Sequence, residues 1–290
     1  MNARDVGIPM DVGCFCTAYS QGNSLVCIYD KTIQQKHRNC VISIVNHLYT
    51  RDITTATCKA YGNTLLFYPY NSGEQEKLSE ASSLYWSEMG AVVAKLHQTT
   101  SICQNRQKYS ELISYDRSTF EKLLNIRKNF PGEAMVRDSM NRACDIVFAD
   151  SVSQKDVGII HGKLSTSSFV SVGDSIQIRY LSHIGWGPRI FDLVSLLYSA
   201  PDPSYARAFL SAYQRGRPLQ TNLLEMLSCL ILYQTAEALS CFRHIETTTN
   251  GSAKLESLCS NILRKYLDNE LFAFNHFSNE FFSQMGIDMF

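Results

Sequence analysis

Apolar and polar positions follow two different periods along this chain, and the change from one to the other divides it. Residues 13 to 29, GCFCTAYSQGNSLVCIY, hold two β-branched and aromatic runs around Gln21-Gly22-Asn23-Ser24, which predicts a hairpin turning at those four residues. In TIQQKHRNCVISIVNHLY, residues 32 to 49, Val41, Ile44, Val45 and Leu48 recur at helical spacing, so one helix should pack on that hairpin. CKAYGNTLLFYPYNSGE alternates again and breaks at Pro69 and Gly73, predicting a second hairpin that runs into a linker.

From Leu84 onward the period lengthens. Tyr85, Met89, Val92 and Leu96 fall at i, i+4, i+7 and i+11, the stripe of a helix buried on one face. Residues 104 to 156 read as two helices broken at Pro131-Gly132. Leu223, Leu227, Leu230 and Ile231 mark a strongly apolar helix, with another expected from Leu255 to Tyr266. A strand-rich beginning followed by a helical remainder predicts an α+β protein with two segregated lobes, a β-rich small lobe over residues 1–70 and a larger helical lobe over 71–290.

Composition narrows the partners. The 290 residues suffice for two lobes around a cleft, and 45% hydrophobic with 19% charged residues is a globular balance. A formal net charge of zero removes general nucleic-acid binding, which needs clustered Lys and Arg. There is no run of 18 apolar residues, and MNARDVGIPMDVG lacks a basic segment before an apolar one, so no membrane association is expected and a cytoplasmic location is. The ten cysteines are scattered, as expected of reduced, buried thiols. Cys14 and Cys16 form a CxC that no neighbouring ligand completes, so no metal site is expected there.

The chemistry concentrates in IIHGKLSTSSFVSVGDSIQIRYLSHIGWGPRIFDLV, residues 159 to 194. Phosphoryl transfer from ATP needs a base for the acceptor hydroxyl, ligands for Mg²⁺ and cations on the phosphates. His161-Gly162, the strand pair that follows, the Gly185-Trp186-Gly187 turn and Phe191-Asp192-Leu193 together resemble the aminoglycoside phosphotransferase and choline kinase family, whose pattern is approximately HGDxxxxN, then IDW or IDF, then GxGxxxxDLA. LLFYPYNSGE resembles the inter-lobe linker of that family and MGAVVAKLHQ the helix after it, and the layout of the tail from Asp202 is similar. The resemblance therefore covers most of the chain and implies a two-lobed protein-kinase-like fold.

Carried over residue by residue, the resemblance implies a degenerate site. Lys163 stands at the catalytic Asp, and an ammonium group does not accept a proton near pH 7 unless its pKa is strongly lowered. Ser168 stands at the metal-binding Asn, and Tyr180, twelve residues before Asp192, at the second metal-binding Asp; a neutral phenol is a poor ligand for a hard cation. LVCIYDK resembles the strand VLKIY and puts Cys27 at the phosphate-binding lysine, while residues 32 to 51 contain no Asp or Glu to pair with one. A register shifted by a few residues would bring Lys31 or Lys36 to the cleft instead. His161, Gly162, Gly185, Trp186, Gly187 and Asp192 are implied to shape the loop.

The resemblance thus implies a pseudokinase that binds no ATP or Mg²⁺ and holds a protein, a peptide or a small molecule in the former acceptor cleft, an accessory subunit of another enzyme being one such role. The alternative is an active small-molecule phosphotransferase, or another nucleotide-dependent enzyme, whose carboxylate comes from Asp156, Asp174 or Asp192. Single residues have plainer readings. Lys163 reads as a solvated side chain, Cys27 as an inert mid-strand thiol, and Tyr68, Tyr70 and Trp86 as core aromatics near the linker rather than pocket walls. His183 is a loop histidine with no partner in its own segment.

Overall fold

Two hairpins at the amino-terminal end build one antiparallel sheet. The computed structural model describes residues 11–12, 16–29, 31, 33–69, 82–101, 110–126, 133–149, 156–245 and 285. Strands β1 (Asp11–Val12), β2 (Cys16–Gln21), β3 (Ser24–Tyr29), β4 (Thr57–Tyr61) and β5 (Thr64–Tyr68) lie in the order β1-β2-β3-β5-β4. The first turn is Gly22-Asn23, with Gln21 opposite Ser24, at the position the residue pattern predicts. Period-two alternation sends Ala18, Leu25, Cys27, Leu65 and Phe67 into the main core. Tyr19 and Val26 face the other way and pack with Ile28 and Leu66.

Helix α1 (Gln35–Tyr49) covers the core side of the sheet through Val41, Ile44, Val45 and Leu48. It starts three residues later than its apolar pattern allows, because Gln34 is still extended. Its position against the sheet is pinned by one amide. Strand β4 is an edge, and Asn46 of α1 pairs with that edge as a neighbouring strand would: Cys58 N–H donates to Asn46 Oδ1 at 2.9 Å, and Asn46 Nδ2 donates to the Cys58 carbonyl at 3.3 Å.

The larger lobe is helical, with two short strand pairs inserted. Helices α2 (Ser83–Ser101), α3 (Arg117–Ile126) and α4 (Glu133–Val147) precede strands β6 (Val157–Ile160), β7 (Phe169–Val172), β8 (Ser175–Ile178) and β9 (Gly185–Pro188), and α5 (Ile190–Ser199), α6 (Pro203–Gly216) and α7 (Leu223–Ile245) follow. In α2 the predicted stripe is inward, with Met89, Val92 and Leu96 buried and Tyr85 half-buried. Trp86 is fully buried against Tyr205 and Phe209, at 5.9 and 6.5 Å between ring centroids, so it belongs to the core. No helix among the described residues is long and apolar enough to cross a membrane.

Several expectations are corrected. Tyr68 is 54% exposed on an outward strand position and is not a core residue. Gly185 to Gly187 form no turn: they belong to β9, which pairs antiparallel with β6 in the register Ile160↔Gly185, Ile159↔Trp186 and Gly158↔Gly187. Extended chain is required there because residues 113–115 line up along the other edge of β9, Tyr115 N–H donating to Trp186 O at 2.7 Å and Trp186 N–H to Ile113 O at 2.8 Å. Tyr70, Gly73, Pro131-Gly132, Cys14 and the helix expected at Leu255 to Tyr266 lie outside the described residues.

Replacing Asn46 by Ala leaves the Cys58 N–H without its acceptor, and the cost is about 1–3 kcal/mol. Urea denaturation at neutral pH should show that loss, with Asn46→Asp, which keeps an acceptor oxygen, less affected.

Candidate functional site

The site is assembled around one buried carboxylate. Asp192 lies in the first turn of α5 and is 1% exposed. Its Oδ2 accepts from the His161 backbone N–H at 2.7 Å and from His97 Nε2 at 3.1 Å, and its Oδ1 accepts from the Gly162 N–H at 3.0 Å. His97, on α2, is kept uncharged by burial, against the upward pull of Asp192. Its Nδ1 therefore accepts from Tyr213 OH at 2.9 Å. Helices α2, α5 and α6 and the loop after β6 thus meet on a single hydrogen-bonded chain.

That chain orients the loop of residues 161–168. Gly162 has φ +81°, and a Cβ there would collide with the His183 carbonyl and the Tyr115 hydroxyl, so the turn excludes every other residue type. The His161 imidazole bridges two segments: Nε2 donates to the Arg179 carbonyl at 3.1 Å, and Nδ1 accepts from the Lys163 N–H at 3.3 Å, an arrangement that fits the neutral ring. Ser168 is buried, with Oγ accepting from the Ser165 N–H at 3.1 Å. Ser195 of α5 ties the loop down by donating to Leu164 O at 2.6 Å. Lys163 sits half-buried on this loop.

A second segment, residues 178–184, closes against the first. Arg179 N–H donates to Ser168 O at 2.8 Å and Arg179 Nε to Ser167 O at 3.0 Å, while its guanidinium lies 4.7 Å from the centre of the Tyr180 ring. Tyr180 occupies the left-handed region, φ 63° and ψ 37°, which is uncommon for a bulky residue and is held here by the surrounding bonds. Tyr115 OH donates to His183 O at 2.8 Å, and the same ring lies where a Cβ on Gly185 would sit, so β9 can carry only glycine at that point.

The small lobe reaches across to this segment. Ile178 N–H donates to Ile53 O at 2.8 Å and Thr55 N–H to Ile178 O at 3.3 Å. Tyr29, near the end of β3, donates its hydroxyl to Ser182 O at 2.5 Å, and burial holds its pKa well above the usual phenol value. Cys16 Sγ lies 3.5 Å from Ser182 O and 3.7 Å from His183 Nδ1. His183 therefore has a thiol beside it, contributed by a strand 167 residues away in sequence. Cys27, two residues before Tyr29, is fully buried between Ala18 and Leu65.

The other charged residues considered lie outside this cluster. Lys36 is exposed and pairs with Glu111 at 3.6 Å, and Lys31 is exposed in the turn after β3. In α1 the buried polar residues nearest its start are His37 and Arg38; His37 Nδ1 accepts from the Ile113 N–H at 3.1 Å, and its ring meets Tyr29 edge-on at 5.4 Å. Asp156 is held by Arg189 Nη1 at 2.8 Å and Arg217 Nη2 at 2.6 Å, at the end of β6 away from His161. Asp174 is exposed in the β7–β8 turn. Among the described residues no group of three or more His, Cys, Asp or Glu side chains is arranged to hold a metal ion.

Tyr29, Tyr115, His37, His97 and Arg179 were not singled out by the sequence, and Cys16 only as half of a CxC, because their main partners lie on other segments. The only local signals were the glycines at 162 and 185, whose missing side chains leave room for Tyr115.

This arrangement of a small antiparallel sheet, a helical lobe and a strand-borne loop braced from α5 is the protein-kinase-like fold of aminoglycoside phosphotransferases and choline kinases. Among solved structures, amicoumacin kinase hAmiN in complex with AMP-PNP, Ca²⁺ and Ami superimposes with a TM-score of 0.68 at 15% identity, over 92% of this chain and 89% of that one. Spectinomycin phosphotransferase in complex with ADP and spectinomycin gives 0.59 at 12% identity, over 95% and 92%. Choline kinase LicA from Streptococcus pneumoniae gives 0.58 at 12%, over 90% and 93%. At these identities the likeness is one of fold. No family model and no curated protein matches the sequence.

Burial lowers the His37 pKa to about 4, with Arg38 acting in the same direction and the Glu111 backbone opposing it. The folded pKa lies below the unfolded value of about 6.5, so this contribution to stability is fully present above pH ~6.5 and is lost as pH falls toward 4. It amounts to up to about 3 kcal/mol. Urea midpoints measured across that interval should fall with pH, and His37→Gln, which can still accept from Ile113, should flatten the fall.

Proposed function

We propose that this protein is a catalytically degenerate relative of the phosphotransferases whose fold it has, a pseudokinase that acts by binding. Its ligand is a protein, a peptide or a small molecule held in the former acceptor cleft, and it works inside the cell, as an accessory subunit or regulator.

One observation carries this reading: the side chains at the positions that the resemblance assigns to phosphate and metal chemistry. Cys27 offers a buried thiol, Lys163 an ammonium, Ser168 a hydroxyl already bonded to its own loop, and Tyr180 a phenol against Arg179. None is a carboxylate. Two Mg²⁺ ions and a triphosphate need acids to hold the metals and a lysine to hold the phosphates, and an added ammonium at the metal position opposes both ions.

The alternative, an active enzyme with a displaced carboxylate, meets a specific difficulty at each candidate. Asp192 has both oxygens committed to His161, Gly162 and His97. Asp156 is clamped by two arginines at the far end of β6, and Asp174 faces solvent at a hairpin tip.

A ligand that binds only the native state raises its stability by mass action, by about 2.7 kcal/mol at a hundred times Kd. Thermal unfolding with ATP and Mg²⁺ should therefore show no shift, and Lys163→Asp alone should restore no phosphate transfer. A shift that a chelator abolishes, or measurable transfer to any hydroxyl or amine by the unmodified protein, overturns the reading.

A further inference from the structure

We propose that Tyr29, Cys16 and His37 form a latch between the two lobes, which opens while each lobe stays folded and so gates access to the inner wall of the cleft. This goes beyond the binding role proposed above and does not depend on it.

Among the described residues, two kinds of hydrogen bond join the lobes, and they lie toward different sides of the sheet. Residues 53–55, which lead into the edge strand β4, are held by main-chain atoms, Ile178 N–H donating to Ile53 O and Thr55 N–H to Ile178 O. Strands β2 and β3, toward the other edge, are held by side chains. The Ser182 carbonyl accepts from Tyr29 OH at 2.5 Å and from the Cys16 thiol at 3.5 Å, so the small lobe uses both of its lone pairs. His37 of α1, whose ring meets Tyr29 edge-on, accepts at Nδ1 from the Ile113 N–H at 3.1 Å. Main-chain pairing on one side and separable side-chain bonds on the other are the parts of a hinge and a catch.

The catch is the side that yields first, for two physical reasons. A thiol is a weak donor, so of the two bonds to Ser182 O the phenol makes the stronger. With Nδ1 accepting, the neutral His37 ring carries its proton on Nε2, which is buried and makes no hydrogen bond among the described residues. Water entering the opened seam supplies the missing acceptor, and opening thereby recovers part of its own cost. In the closed state Cys16, Cys27, Tyr29, His37 and His183 are each at most 5% exposed, so this wall is shut to ligands. Opening uncovers it, including Cys27 at the position that resembles the phosphate-binding lysine.

The full-length protein is exposed to iodoacetamide at increasing urea below its unfolding transition, and alkylation of each cysteine is followed by mass spectrometry. Cys229, buried on α7 of the large lobe, is the reference for global unfolding. Cys16 should react slowly, yet faster than Cys229 and with a weaker dependence on urea, because a partial opening exposes less surface than unfolding does. Asp202→Ala, which removes the side chain capping α6 in the large lobe, should raise the Cys229 rate and leave the Cys16 rate unchanged. Tyr29→Phe, which removes only the hydroxyl, should raise the Cys16 rate about five- to tenfold. If that variant does not fold, the wild-type and Asp202→Ala measurements decide. The latch is overturned if Cys16 reacts as fast as an exposed thiol, if it shares the rate and urea dependence of Cys229, if Asp202→Ala speeds both cysteines equally, or if Tyr29→Phe leaves Cys16 unchanged.

Discussion

The placement of everything near the candidate site depends on the desolvated carboxylate of Asp192. A buried carboxylate is tolerable only when its lone pairs are filled, and here they are filled by two consecutive backbone N–H groups and a neutral imidazole. Because those donors come from the loop after β6 and from α2, satisfying the charge also fixes where the loop leaves its strand and how α2 crosses α5. His97 passes the constraint on to Tyr213 of α6. A single electrostatic requirement thus couples three helices to the geometry of residues 161–168, and it is met by two backbone groups and His97, so it is indifferent to whether residue 163 is an acid or a lysine.

The framework of the loop therefore does not depend on the side chain at 163. The bonds that shape the loop and the 178–184 segment are made by His161, Gly162, Asp192, Tyr29 and Tyr115, acting largely on backbone atoms. Three of the side chains at the compared positions are built into this framework: Cys27 is buried in the core, Ser168 Oγ accepts from the Ser165 N–H, and the Tyr180 ring lies under Arg179. A thiol among the apolar residues of β3 is buried without the desolvation cost that a charged group would carry, and the serines of the loop close hydrogen bonds among themselves.

Parts of this could be read along the chain and parts could not. The turn at Gly22-Asn23, the inward stripe of α2 and the two-lobed architecture follow from short-range periodicity, because burial of one face of a strand or helix repeats at a fixed interval. Gly185-Trp186-Gly187 was misread as a turn for the same reason: two glycines are a local signal for bending, whereas here they make room for Tyr115 against an extended strand. Tyr68 was assigned inward by its aromatic character, but strand parity points it out. His183 showed no partner in its own segment because its neighbour, Cys16, comes from the opposite lobe.

The sequence by itself determined the order of strands and helices, the fold class and the chemical identity of the side chains at 27, 163, 168 and 180, since these depend on period, composition and residue type. Tertiary structure decided which of those side chains meet. The convergence of Tyr29, Cys16 and Tyr115 on residues 182–183, the sharing of Asp192 among three donors, and the bridging of the Lys163 and Arg179 backbones by the His161 ring join residues between about 16 and 167 positions apart. Contacts of that separation are set by how the lobes pack and by which buried polar groups must be satisfied, and no local pattern encodes either.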